Sequence, residues 1–158
     1  MQPVDYIICG DYILTMNESL DLIRDGAVAV KDTKIVDVDA SENILKKYSS
    51  EKTIVGRGRA VLPGLINTHT HAAMVYFRGL ADDLPLKEWL EKHIWPAENH
   101  WLSPEFISDA VELACLEMLE AGVTTYNDMY FWGDSAAIAT KKIGMRAVIG
   151  VGILDFPT

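Results

Sequence analysis

Beyond about residue 60, apolar strands alternate with amphipathic helices, and this order restricts the fold more than any other feature of the sequence. Three strands are predicted, near residues 61–68, 123–128 and 146–153. The first two are separated by a helix that opens at Ser103-Pro104 and closes at Gly122, and the last two by a helix that stops at Gly144. A strand that returns to its sheet through a helix pairs in parallel. The pattern therefore predicts an α/β fold.

The helices of this part are indicated by apolar residues that recur at helical spacing. One helix follows Pro85 and carries Leu86, Trp89, Leu90, His93 and Ile94. The helix after Ser103 carries an apolar stripe, namely Ile107, Ala110, Val111, Ala114, Met118 and Ala121. The last helix is predicted to begin at a cap formed by Asp134 or Ser135 and to end at Ile143.

The first sixty residues indicate strands and turns instead. Gly10-Asp11 is interpreted as a two-residue hairpin turn between the runs 6–9 and 12–15. A second hairpin joins the runs 27–30 and 35–38, and Ser41 is predicted to cap a short helix with one apolar face, formed by Ile44, Leu45 and Tyr48. We therefore expect two parts, an all-β segment over 1–60 and an α/β segment over 61–158.

Charge and composition exclude several classes of function. Among 158 residues, 14 Lys and Arg stand against 23 Asp and Glu, giving a net charge of −9 that disfavours nucleic acid and anionic membranes. No apolar run approaches the ~20 residues of a spanning helix, and the first residues lack the basic region of a signal peptide. Cys9 and Cys115, far apart, are expected to be reduced, buried thiols, so we expect a cytoplasmic protein.

The segment Pro63-Gly64-Leu65-Ile66-Asn67-Thr68-His69-Thr70-His71 is the most informative motif. Side chains two apart on a strand share a face, so His69 and His71 point the same way at the carboxyl end of an apolar strand. Parallel α/β folds build their sites at that end. A bare pair of this kind is more often a surface or packed pair, but the preceding Pro-Gly turn favours a site for Zn²⁺ or Fe²⁺.

Other polar and aromatic residues have two interpretations each. His93 and His100 are interpreted as structural histidines. Trp89 and Trp95 are suited to wall a base-binding pocket, and equally to pack a loop helix.

Asp128 ends the second strand, where it either orients a ligand histidine or caps the following loop. Arg78 either clamps a carboxylate or forms a salt bridge to Asp82 or Asp83.

The chain resembles the amidohydrolase superfamily in its segment 61–71, and the 5-methylthioadenosine/S-adenosylhomocysteine deaminases in further motifs. These motifs are His71-Ala72-Ala73-Met74, Arg78-Gly79-Leu80-Ala81-Asp82-Asp83-Leu84-Pro85-Leu86, Glu88-Trp89-Leu90, Trp95-Pro96-Ala97-Glu98, Gly122-Val123-Thr124-Thr125, Asp128-Met129-Tyr130 and Leu154-Asp155-Phe156-Pro157-Thr158. The resemblance covers essentially the whole chain. It departs at Asp32-Thr33-Lys34, a turn where such proteins usually have glycine.

The resemblance implies the N-terminal part of a metal-dependent (β/α)8 TIM-barrel hydrolase, with a small β-sandwich segment made from both chain ends. It implies that His69 and His71 bind one Zn²⁺ (or Fe²⁺) and that Glu98, in the loop after the first barrel strand, binds the ribose hydroxyls of an adenine nucleoside. Water activated by the metal would attack C6 of the base and release ammonia. The general acid, a third ligand histidine and a ligand aspartate are expected beyond Thr158.

Three alternatives remain at this stage. The chain could be another amidohydrolase, such as a guanine or cytosine deaminase or a triazine hydrolase. It could be a catalytically incomplete fragment, because three barrel strands leave an open edge that invites association with the remaining part or with a second copy. It could also be a binding module in which the two histidines are structural.

Overall fold

The computed structural model describes residues 1–153, and the chain divides into two compact units, Met1–Pro63 and Gly64–Thr158. The first unit consists mainly of strands and the second alternates strands with helices. No helix in the described part is long and apolar enough to cross a membrane. The closing motif at 154–158 lies outside the described residues. That the first unit is part of a composite sandwich stays a prediction.

The first unit is built around one four-stranded sheet. Its elements are β1 (Gln2–Pro3), β2 (Tyr6–Leu14), β3 (Leu22–Lys31), β4 (Lys34–Ala40), α1 (Ser41–Lys47), β5 (Tyr48–Ser49) and β6 (Thr53–Val61). The sheet order is β4-β3-β2-β6, and β1 pairs separately with β5. The antiparallel pairing of β3 with β4 confirms the second predicted hairpin. Ile7, Ala27, Ala29 and Ile44 form the buried core of this unit together with Val4.

The hairpin predicted at Gly10-Asp11 is wrong, because β2 runs through both residues. A β-carbon at Gly10 would lie 2.9 Å from Cγ2 of Val61, on the neighbouring strand. The register of β2 against β6 also shifts between Gly10 and Tyr12. This glycine therefore marks a close approach of two strands at an irregularity, and not a turn.

The helix predicted after Ser41 is present, but its boundaries differ. Ala40 occupies the cap position and Ser41 is the first helical residue. Ile44 is buried as expected, whereas Leu45 is exposed and Tyr48 lies beyond the helix in β5. Ile44 is thus the one residue of this seven-residue helix that is buried.

The second unit has three parallel strands with helices between them. Its elements are β7 (Leu65–Thr70), a 3-10 helix (Ala72–Phe77), α2 (Leu86–Trp89), a π-helical turn (Leu90–Ile94), α3 (Trp95–Trp101), α4 (Pro104–Glu120), β8 (Val123–Tyr130), α5 (Gly133–Ile143) and β9 (Arg146–Val151). The strand order β7-β8-β9, all parallel, confirms the predicted α/β pairing. Ile107, Val111 and Tyr126 are fully buried where α4 and α5 cover this sheet.

In the second unit, the ends of the helices agree with the sequence in three places and differ in one. The Ser103 hydroxyl accepts a hydrogen bond from the Phe106 N–H at 3.1 Å, as an N-cap does. Gly122 and Gly144, both at positive φ, follow α4 and α5 as predicted. The predicted cap of α5 is wrong, because Trp132 occupies that position with a φ of +44°.

The first strand of the parallel sheet lies later than the predicted range 61–68. Val61 still belongs to β6, where it is opposite Ile13. Pro63 has no N–H to donate to a ladder, so the chain leaves the first sheet there and β7 begins at Leu65. Because of this shift, His69 is the second-last residue of β7 and His71 immediately follows the strand.

Candidate metal and substrate site

Two histidines lie together at the carboxyl end of β7. The ring centroids of His69 and His71 are 5.1 Å apart and their planes are nearly perpendicular, at 79°. His69 is exposed and His71 is half-buried. The structure thus brings together the two imidazoles that the alternation of the strand predicted to share a face.

The His71 ring is oriented by a backbone carbonyl on the next strand. Its Nδ1 lies 2.7 Å from the carbonyl oxygen of Met129. A carbonyl oxygen only accepts hydrogen bonds, so Nδ1 carries the hydrogen and, in the neutral ring, the lone pair is on Nε2. Metal-binding histidines characteristically donate their second ring N–H in this way. The donor set at this position therefore fits a divalent metal.

The Asp128 carboxylate contacts the residues on both sides of His71. This carboxylate, 1% exposed, accepts hydrogen bonds from the Thr70 hydroxyl and the Ala72 N–H, each at 2.8 Å. Asp128 therefore caps a loop and does not contact an imidazole directly. The loop that it caps follows β7, whereas the sequence pattern predicted a cap for the loop after β8. A buried carboxylate with two donors is well compensated for its lost hydration.

Glu98 lies in α3 and not in a loop, so that prediction is wrong for its secondary structure. Its Oε1 accepts a hydrogen bond of 2.5 Å from the hydroxyl of Tyr130. Burial raises the pKa of the Glu98 carboxyl above its ordinary value, while the hydrogen bond from Tyr130 opposes this shift. Burial, and next the Glu98 carboxylate, raise the pKa of the Tyr130 hydroxyl, so Tyr130 stays protonated and is the donor.

His71, Glu98 and Tyr130 border one cavity of about 400 Å³, whereas His69 is not among its lining residues. These three are its titratable lining residues. Its apolar and aromatic lining includes Met74, Leu90, Ile94, Trp95, Phe131 and Trp132. Pockets for small organic molecules combine a largely apolar wall with a few polar groups in this manner.

Of the two tryptophans with alternative interpretations, Trp95 lines the cavity. Trp89 is half-buried at the end of α2. Trp132 also lines the cavity, and its left-handed backbone conformation is costly for a bulky side chain. Strain of this kind is often found at functional sites.

The remaining candidate residues have ordinary structural surroundings. His93 is half-buried in the π-helical turn, and His100 is exposed with its ring edge-on to Trp101 at 4.6 Å. Of the two interpretations of Arg78, the salt bridge to Asp82 or Asp83 is wrong. Its guanidinium instead forms a two-point contact with Glu117 of α4, at 2.5 and 3.1 Å.

The Arg78 partner differs because the 3-10 helix that precedes this residue packs against α4. This packing brings Arg78 to Glu117, 39 positions away in sequence. A local pattern of charges does not contain that information.

Two functional groups at this cavity were missed in the sequence. The orienting group of Met129 is its backbone carbonyl, which no side-chain pattern reveals. Tyr130, however, is two positions after Asp128 on β8 and so shares its face. That alternation was the signal that could have indicated Tyr130.

A complete metal site is not formed by the described residues alone. Within residues 1–153, no group of three or more His, Cys, Asp and Glu side chains could hold a metal ion. Zinc usually takes three or four protein ligands. The two imidazoles therefore fit part of such a site.

Comparison with known proteins identifies relatives of the whole chain. A family model described as "Amidohydrolase family" matches residues 60–157. The chain is 55% identical to a 5-methylthioadenosine/S-adenosylhomocysteine deaminase of Thermodesulfovibrio yellowstonii, over 97% of this chain and 35% of that protein. It is 46% identical to a 5′-deoxyadenosine deaminase of Methanosarcina mazei, over 96% of this chain and 34% of that protein. The chain spans about a third of the length of these curated relatives.

Solved structures show the same fold. A crystal structure of an adenosine deaminase from Xanthomonas campestris with bound zinc has a TM-score of 0.93 and 40% identity, over 99% of this chain and 36% of that chain. The atrazine chlorohydrolase TrzN of Arthrobacter aurescens, complexed with zinc, has a TM-score of 0.80 over 92% of this chain and 35% of that chain. At 24% identity, this second similarity shows the fold alone.

Proposed function

This chain belongs to the amidohydrolase family, and from that premise we propose that it forms the N-terminal part of a metal-dependent (β/α)8-barrel deaminase of adenine nucleosides. The proposed substrates are 5′-methylthioadenosine and S-adenosylhomocysteine. Hydrolysis would convert them to 5′-methylthioinosine and S-inosylhomocysteine and release ammonia. The observation that carries the proposal is the cavity that joins the imidazole of His71 to the carboxylate of Glu98. The names of the relatives support the substrate class.

We assign His69 and His71 as metal ligands, and zinc as the metal. The paired rings and the Nδ1–H contact of His71 with Met129 support the assignment. Zinc held there would supply an activated water, whose pKa it lowers to about 7. Fe²⁺ would suit the same nitrogen ligands. The zinc in the related adenosine deaminase structure supports the choice of zinc.

We assign Glu98 to the ribose hydroxyls of the substrate. A carboxylate accepts several hydrogen bonds and matches the two neighbouring hydroxyls of a ribose. One oxygen of Glu98 already accepts from Tyr130, and the side chain borders the cavity. The substrate would thus be held by its sugar, with the base directed toward the imidazoles.

The general acid and the remaining ligands are proposed to lie outside this chain, beyond Thr158. Support comes from the absence of a three-residue metal cluster in residues 1–153 and from the length of the relatives. The 158-residue chain by itself should therefore be inactive. Its own residues would bind the sugar, orient one ligand ring and enclose the apolar side of the cavity.

A second substrate, 5′-deoxyadenosine, is also consistent with the cavity. Its methyl group would suit an apolar wall such as that formed by Met74, Leu90 and Ile94. The relative from Methanosarcina mazei is named for this activity. Relative rates with 5′-deoxyadenosine and 5′-methylthioadenosine would rank the two substrates.

The test is an ultraviolet assay for conversion of adenine to hypoxanthine. The zinc-loaded protein would be given 5′-methylthioadenosine or S-adenosylhomocysteine, with and without a chelator. We expect turnover that the chelator abolishes and added zinc restores. The same assay on material whose intact mass matches 158 residues should show no turnover. A zinc-loaded protein that contains all the barrel strands but leaves both nucleosides unchanged would refute the proposal.

A further inference from the structure

The carboxyl end of β8 contacts three separate parts of the site through three consecutive residues. The Asp128 carboxylate accepts hydrogen bonds from the Thr70 hydroxyl and the Ala72 N–H, on either side of His71. Met129 accepts from the His71 ring through its carbonyl. Tyr130 donates to Glu98 through its hydroxyl. One strand end thus connects the imidazole on the β7 side to the carboxylate on α3.

Contacts of the Tyr130 ring with two neighbouring rings fix the position of its hydroxyl. The ring centroid lies 6.1 Å from that of His71 and 5.1 Å from that of Phe131. A phenol held on two sides has little freedom to move its hydroxyl away from Glu98. The contact joins residues 32 positions apart, so it depends on how α3 sits against the strand.

The contact uses only part of the hydrogen-bonding capacity of the carboxylate. A carboxylate offers about four acceptor positions. Tyr130 occupies one on Oε1, and burial of Glu98 limits how much water competes for the others. The free positions of a fixed carboxylate can meet two neighbouring hydroxyls together, whereas a rotating carboxylate must first be ordered.

We propose that Tyr130 is a positioning residue that fixes the Glu98 carboxylate for a ribose diol and thereby makes the cavity prefer ribonucleosides to 2′-deoxyribonucleosides. This inference rests on the proposed function, because it takes an adenine nucleoside as the substrate. Tyr130 acts through Glu98 and needs no contact with the reacting base. The benefit is in substrate binding and not in the chemical step.

The variant Tyr130→Phe removes the hydroxyl and keeps the ring. In the complete zinc-loaded enzyme, we expect KM for 5′-methylthioadenosine to rise about tenfold, the effect of losing one hydrogen bond to a charged group. We expect kcat to stay unchanged, and KM for 2′-deoxy-5′-methylthioadenosine to stay close to its original value. The preference for the ribonucleoside would fall by the same factor of about ten.

Tyr76→Phe is the matched control. Tyr76 also loses only a hydroxyl, and its ring packs edge-on against Phe106 away from the site, at 5.2 Å. We expect this control to keep both KM values. Thermal unfolding of both variants would show that each is folded.

A double variant separates positioning from a general structural role. If Tyr130 acts through Glu98, then Glu98→Gln combined with Tyr130→Phe should have the same KM as Glu98→Gln alone. A further rise in the double variant, or equal rises for the ribonucleoside and the 2′-deoxynucleoside in Tyr130→Phe, would overturn the inference while the deaminase function stands. Absence of turnover in the unmodified complete enzyme would overturn the proposed function, and this inference with it.

Discussion

At the scale of single residues, the site combines two imidazoles with a backbone acceptor. His71 is turned by the Met129 carbonyl, and its flanking backbone is held by Asp128. Fixed ligands bind a metal more tightly because less ordering is needed on binding. At His69 the contact is on the main chain, where the backbone N–H donates a hydrogen bond to the side-chain oxygen of Asn67 at 3.2 Å. We therefore expect both rings to be needed for metal binding.

In the complete enzyme, His69→Ala and His71→Ala should each abolish stoichiometric zinc in the purified protein. Each substitution removes one nitrogen ligand, and zinc sites with three or four protein ligands tolerate such a loss poorly. Zinc content per chain, measured by atomic emission, reports the effect without an activity assay. His100→Ala is the control, since His100 is exposed beside Trp101 on α3 and should keep the full zinc content. One tightly held zinc in both variants would exclude the assignment.

Glu98→Gln should raise KM for adenine nucleosides far more than for free adenine. The amide keeps the size of the side chain but loses charge and one acceptor, so the penalty should depend on the ribose hydroxyls. A rise of about tenfold or more is expected for the nucleoside, the usual scale of one charge-assisted hydrogen bond. Steady-state kinetics on both compounds give the comparison. Equal effects on both would contradict the role given to Glu98.

At the scale of elements, the start of β7 depends on a close approach to β8. A β-carbon on Gly64 would lie 2.2 Å from Cγ2 and 2.8 Å from Cβ of Thr124. The second distance involves an atom fixed to the backbone, so rotation of the Thr124 side chain cannot remove the clash. The glycine of the Pro-Gly pair is therefore required for packing against β8, in addition to the turn that the sequence predicted at this pair.

Gly64→Ala should destabilise the protein by about 1–3 kcal/mol, the usual cost of forcing extra volume into a packed contact. Thermal or denaturant unfolding measures the change. Gly150→Ala, on β9 of the same sheet, is the matched control, because its added β-carbon would meet the nearest atom at an ordinary 3.4 Å. We expect that control to be close to neutral. Equal stabilities of the two variants would show that the strands relax freely at Gly64.

At the scale of the whole molecule, the second unit has a core that joins the sheet to both long helices. Cys115 of α4 lies there, fully buried, with its thiol directed at the Tyr126 hydroxyl of β8 at 3.9 Å. The same hydroxyl lies 2.5 Å from Oγ1 of Thr140 on α5. Burial raises the pKa of the Cys115 thiol above its ordinary value. Cys9, in the first unit, is half-buried, so the expectation of two buried thiols holds fully for Cys115 alone.

Cys115 should report the opening of this core. In Cys9→Ser, alkylation by iodoacetamide at pH 8 should be roughly a hundredfold slower than for an unfolded control, because reaction needs an opening that costs about 3 kcal/mol or more. The raised pKa acts in the same direction, since it lowers the reactive thiolate fraction at a given pH. Mass spectrometry follows the modification. In the complementary variant Cys115→Ser, the half-buried Cys9 should react faster than Cys115 does in Cys9→Ser. Alkylation of Cys115 in Cys9→Ser at the rate of the unfolded control would contradict the packing.

The sequence predicted those features that local order controls. The strand-helix alternation, the caps at Ser103, Gly122 and Gly144, and the shared face of His69 and His71 follow from short-range rules of capping and pleat. The hairpin prediction at Gly10 was wrong because a contact distant in sequence outweighs the local turn signal there. The pair Gly10-Asp11 is typical of a turn, but Gly10 lies inside β2, packed closely against the neighbouring strand.

By itself, the sequence determined the parallel order of the second unit and the pair of candidate ligands, because periodicity and turn chemistry act over a few residues. The tertiary structure alone decided which partners complete the site. Glu98 meets Tyr130, and His71 meets Met129, across 32 and 58 positions. Such contacts depend on how β7, α3 and β8 pack, and a backbone carbonyl carries no mark in the sequence. The chemistry of the site was therefore readable from its residues, while its geometry was fixed by packing.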